Sequence, residues 1–67
     1  MADLKRGERV KVTNCAIARE RGVAGLRGRV EGKLGERSGR TIFYVRFTPE
    51  EGGLQMLPSI ILERYYD

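Results

Sequence analysis

Ten of the thirteen basic side chains in this 67-residue chain are arginine. A guanidinium is a planar fork that grips the oxygens of phosphate or carboxylate in pairs, so the chemistry on offer is anion recognition. Spacing concentrates it. Arg27 and Arg29 sit two apart, as do Arg9 and Lys11, and Lys33, Arg37 and Arg46 follow further along. Residues 5–46 carry twelve Lys or Arg against four Glu, whereas residues 47–67 carry one Arg against three Glu and one Asp. Asymmetry of that size favours an acidic partner, nucleic acid or protein. The competing explanation is a charged surface that only prevents aggregation. Tyr44 interleaves with the cations, helped by Tyr65 or Tyr66, and is placed either to stack a base or to cover a sheet surface.

Most other chemistry lacks its parts. The chain has no His and one Cys, Cys15, which excludes an intrachain disulfide and a zinc-ligand spacing. Without a His beside it the thiol has no activating base, and a small apolar filler at a strand end is its expected role. Glu50 and Glu51 are adjacent in a turn and point apart, which argues against a general acid–base pair. Gly25-x-x-Gly28 precedes no helix of a βαβ unit and so is no dinucleotide fingerprint. The expectation is a chain with no catalytic residue, no metal and no cofactor.

The elements that must position these side chains read as short strands. Glu8 to Thr13 alternates, with Val10 and Val12 on one face and Arg9 and Lys11 on the other. Leu26 to Leu34 alternates again, setting Gly28, Val30, Gly32 and Leu34 against Arg27, Arg29, Glu31 and Lys33. Glycine at inward positions permits close approach and a bend. Between these strands, Asn14 to Gly25 is read as a connection, with Cys15-Ala16-Ile17-Ala18 as an apolar lid and Arg19 to Gly22 as a solvated tip. Gly35 to Gly39 is a hairpin loop. Arg40 to Thr48 is β-branched and aromatic, with Phe43, Val45 and Phe47 as its core face. Pro49 to Gly53 turns the chain into a strand over Leu54–Leu57. Pro58 then stops that strand, and Pro58 to Ile61 fits one 3₁₀ turn before a last strand from Leu62 to Tyr65. An amphipathic helix over residues 54–65 would carry Pro58 in its interior at about 3 kcal/mol.

Length bounds the rest. Sixty-seven residues make one domain, expected over residues 7–66 behind a polar leader at 1–6. A chain this short buries about 60% of the surface its unfolded form exposes, so self-association is an expected staple. No signal peptide and no membrane-spanning stretch is apparent, and a cytoplasmic location is expected.

Five strands with a Pro-initiated turn before the last resemble the SH3-like small β-barrel over residues 7–65. Gly7-x-x-Val10-x-Val12 followed by Gly25-x-x-Gly28-x-Val30 is similar to the KOW motif of ribosomal and transcription-elongation proteins, although the Thr13–Ala24 loop is longer than that motif allows. Val10-Lys11-Val12-Thr13-Asn14 resembles the first strand of the SH3-like accessory subunits of photosystem I and of ferredoxin–thioredoxin reductase. Those resemblances imply a non-catalytic module that docks a basic face onto nucleic acid or onto an acidic protein. A third resemblance implies an enzyme. Leu54-Gln55-Met56-Leu57-Pro58 followed by Leu62-Glu63-Arg64 is similar to the C-terminal segment of the type II, plasmid-borne dihydrofolate reductases. In that family four protomers enclose a pore where hydride passes from NADPH to dihydrofolate. Gln55 and Met56 would line it, while Leu57 replaces the family's Tyr, Val12 stands where a pore Lys would bind cofactor phosphate, and the family's Trp is missing.

The expectation is therefore an all-β, five-stranded SH3-like barrel with a one-turn 3₁₀ helix before its last strand. It would act as a binding module within a larger complex or a homo-oligomer, with Arg27 and Arg29, then Arg9 and Lys11, then Lys33, Arg37, Arg46 and Tyr44 as contacts.

Overall fold

A computed structural model describes residues 4–65. Tyr66 and the ends of the expected leader and domain lie outside them. The strands are β1 (Arg9–Val12), β2 (Arg27–Arg37), β3 (Arg40–Arg46), β4 (Leu54–Pro58) and β5 (Leu62–Arg64). They form one antiparallel sheet in the order β4-β3-β2-β1-β5. Hydrogen bonding runs along that order and stops at β4 and β5. A 3₁₀ turn over Ser59–Ile61 precedes the last strand, as its Pro entry dictates, and a second turn spans Pro49–Glu51.

Alternation accounts for the core. Val10 and Val12 of β1, Val30 of β2, Phe43 and Val45 of β3, and Leu57 of β4 are buried together. Phe47, Ile61, Ala18 and Val23 complete the cluster, with Cys15, Ala24, Leu26 and Leu62 packed against it. Leu4 belongs there as well, at 9% exposure, so the first described residue of the expected polar leader is a core residue. No buried side-chain polar atom lacks a partner among the described residues.

The Asn14–Gly25 connection departs from its reading in element type. Residues Ala16–Arg21 form a helix, α1, where the sequence reads as lid and tip. Six residues are too few to show a 3.6 period, yet each end is well specified. Cys15 is extended and starts the helix, and Arg19 and Arg21 lie at the end where the helix dipole favours cations. Gly22, at φ 73°, closes it: its N–H donates to the Arg19 carbonyl at 3.1 Å, and the Val23 N–H donates to the Ala18 carbonyl at 3.0 Å. This is a Schellman closure, and it puts Ala18 and Val23 together in the core.

Strand β2 runs longer than its alternation predicts and is bulged twice, between Val30 and Gly32 and between Lys33 and Gly35. Each bulge inserts a residue and exchanges the faces of everything beyond it. Leu34, read as inward, is therefore 48% exposed. The hairpin is also tighter than a five-residue loop, because Arg37 pairs with Arg40 and only Ser38 and Gly39 turn. Both have positive φ, 53° and 75°, as a two-residue turn of this hand requires.

Candidate anion-binding face

Residues directly opposed across antiparallel strands share a face. Arg29 stands opposite Arg9 on one side and opposite Arg46 on the other. Three arginines thus form a row across β1, β2 and β3, on the side of the sheet away from the core. With strands about 4.8 Å apart, that row reaches across about 10 Å. The neighbouring row sets Arg27 against Lys11, and Lys11 against Glu63 of β5. The chain continues past β5 with the Tyr65 N–H donating to the Arg9 carbonyl at 3.0 Å, which brings the ring to the patch. The Arg27 guanidinium carbon lies 4.5 Å from the centre of the Tyr65 ring.

These side chains surround a shallow depression of about 400 Å³, lined by Arg9, Arg27, Arg29, Arg46 and Tyr65 with Gly28, Phe47 and Thr48. Gly28 and Phe47 contribute to its apolar lining. Carboxylates border the face at Glu31 and Glu63. Glu31 accepts a bond from Arg46 Nε at 3.0 Å, both side chains being well exposed, and Arg29 has no ion-pair partner among the described residues. Like charges directly opposed on a sheet repel, and the Glu31 carboxylate offsets part of that repulsion at Arg46.

Glu8 holds the β1–β5 end of the patch. Its carboxylate accepts from Arg64 Nε at 2.7 Å and from the Lys5 backbone N–H at 2.7 Å. The Arg64 bond, reinforced by the Lys5 N–H, lowers its pKa below the usual carboxylate value.

The remaining sequence candidates are distributed elsewhere. Lys33 lies opposite Phe43, on the other face from Arg29, because the first bulge intervenes. Arg37 sits at the hairpin end opposite Arg40. Tyr44 shares the face of Arg46, one pair further along β3, between Gly32 and Met56. Gln55 opposes Val45, and its Nε2 donates to the Gly52 carbonyl at 2.9 Å. Met56 is 52% exposed on the opposite face of β4, so these neighbours do not converge on one surface. A larger depression of about 690 Å³ between the hairpin and β4 is lined by Leu34, Ile42, Met56 and Pro58, with Arg21, Arg37 and Arg40 among its charged borders.

Tyr65, offered by the sequence only as a companion of Tyr44, joins the patch through the hydrogen bond of its N–H to β1, and Phe47 and Thr48 enter the lining although neither reads as a contact in the sequence. Among the described residues no cluster of three metal-ligating side chains occurs, and no helix is long and apolar enough to cross a membrane. Comparison with known proteins returns no match to a family model, to a curated protein or to a solved structure. The chemistry of the face therefore rests on its own side chains.

Proposed function

We propose that this protein is a non-catalytic binding module that docks the Arg9–Arg29–Arg46 face onto an acidic macromolecule. The observation carrying the proposal is the three-arginine row on adjacent strands. Arg46 already meets the Glu31 carboxylate, and the guanidinium forks of the row suit paired phosphate or carboxylate oxygens. Arg27 and Lys11 extend the positive surface. The finer fold reading belongs with this one: the strand order, the bulged β2 and the turn before β5 support an SH3-like barrel whose outer surface is offered to partners. The pore-reductase reading draws less support, since the Gln55 amide is engaged by Gly52 and Met56 faces the other way.

The test is retention on immobilised heparin as a function of salt. The wild-type protein elutes late, and Arg29→Ala elutes earlier with a shallower dependence on salt. Salt-insensitive or absent retention of the wild type would remove the proposal.

A further inference from the structure

We infer that the partner of this face is single-stranded nucleic acid, with one base entering the depression beside Tyr65 while the phosphates follow the arginine row. This rests on the reading of the face as an anion-docking surface and adds what a carboxylate partner would leave unexplained. An acidic protein surface needs cations alone. Here the cations border a shallow depression whose lining also includes Gly28, Phe47, Thr48 and Tyr65. Tyr65 and Arg27 already lie one over the other at 4.5 Å, so two flat groups that both stack on bases are assembled before any ligand arrives. Thr48 adds polarity at the rim. Its Oγ1 donates to Glu51 Oε1 at 3.0 Å, which leaves lone pairs to accept from the amino or imino group of a base.

The strandedness follows from what must be reached. A duplex keeps its bases stacked inside and would have to extrude one at a cost of stacking and pairing, whereas a single strand offers a free face. The arginine row, about 10 Å long, spans more than one phosphate of such a strand.

Fluorescence anisotropy with the full chain and three labelled probes tests this: a short oligothymidylate, an abasic deoxyribose-phosphate chain of equal length, and polyglutamate. The oligothymidylate binds tighter than the abasic chain by roughly five- to a hundred-fold, the range that stacking one base supplies. Tyr65→Ala abolishes that ratio while keeping the salt dependence, and Tyr65→Phe restores it. Equal binding of oligothymidylate and abasic chain, or binding of polyglutamate alone, overturns the nucleic-acid inference and leaves anion docking standing. Failure to bind any of the three overturns both.

Discussion

Gly28 and Phe47 share one volume on the core side of β2: a Cβ at position 28 would lie 2.8 Å from Cδ1 and Cε1 of the Phe47 ring. The Arg46 carbonyl oxygen, a backbone atom that cannot turn aside, would also stand at 2.8 Å. Gly28→Ala is therefore overpacked rather than merely strained, and it destabilises by about 1–3 kcal/mol. Urea denaturation reads this directly. A variant as stable as wild type would mean that β2 and β3 do not approach so closely.

The arginine row gives a prediction in which stability and binding move in opposite directions. Replacing Arg29 by Thr removes the middle charge of Arg9–Arg29–Arg46 and inserts a residue that favours strands. Thermal stability rises by roughly 0.2–1 kcal/mol, the scale of a cross-strand pair, while retention on heparin falls. Lys33→Thr, on the opposite face, leaves retention close to wild type. Equal losses from the two variants would show that net charge and not the face governs binding.

How far the sequence reaches can be judged on β2. Its first half is legible: Arg27 and Arg29 alternate with Gly28 and Val30, and the pairing with Arg9 and Lys11 gathers both pairs on one face. Beyond Val30 strict alternation fails, because bulges end at Gly32 and Gly35, glycines that in sequence read only as a permitted bend and as the start of the hairpin loop. Lys33 and Leu34 are misassigned for that single reason. Helix α1 escapes for another. Its stability comes from burying Ala18 and Val23 and from the Gly22 closure, and six residues carry no periodicity of their own. Tyr65 depends on a contact between chain ends, which no local window contains.

Acid sensitivity should localise to Glu8. Its folded pKa lies below the ordinary value of 4.5, chiefly through the Arg64 hydrogen bond. Protonation therefore disfavours the folded state: the stabilisation is fully present above roughly pH 4.5 and is lost as pH falls through the lowered folded value. Glu8→Gln keeps the shape, lowers stability at neutral pH, and shows a flatter decline on acidification. The gap between wild type and variant, followed by thermal melts across pH, closes in acid. The pair is partly exposed, so added salt narrows the gap at neutral pH as well. A gap that widened in acid would refute the assignment.

The Gly22 closure makes a cleaner test of backbone strain, because a Cβ there meets no atom within 4 Å. Any loss in Gly22→Ala comes from holding a non-glycine residue at φ 73°. About 1 kcal/mol is expected. Gly22→Asn loses less, since Asn tolerates that region. Identical melting of all three proteins would mean that α1 does not end as described.

β4 is an edge strand, and two features occupy its free side. Arg21 Nη1 reaches from the end of α1 to donate to the Met56 carbonyl oxygen at 3.1 Å, and Pro58 supplies no N–H. Either alone weakens an intruding strand; together they deny it both an acceptor and a donor within three residues. Leu54 and Met56 are exposed at 46% and 52%, so an unguarded edge here would carry apolar side chains suited to strand pairing. The double variant Arg21→Ala/Pro58→Thr restores both groups to the edge. Sedimentation velocity over a concentration series should show it associating at lower concentration than wild type, with the gain abolished by adding Met56→Lys. Unchanged association would assign Arg21 to holding α1 in place alone, and Arg21→Ala would then lower stability without altering self-association.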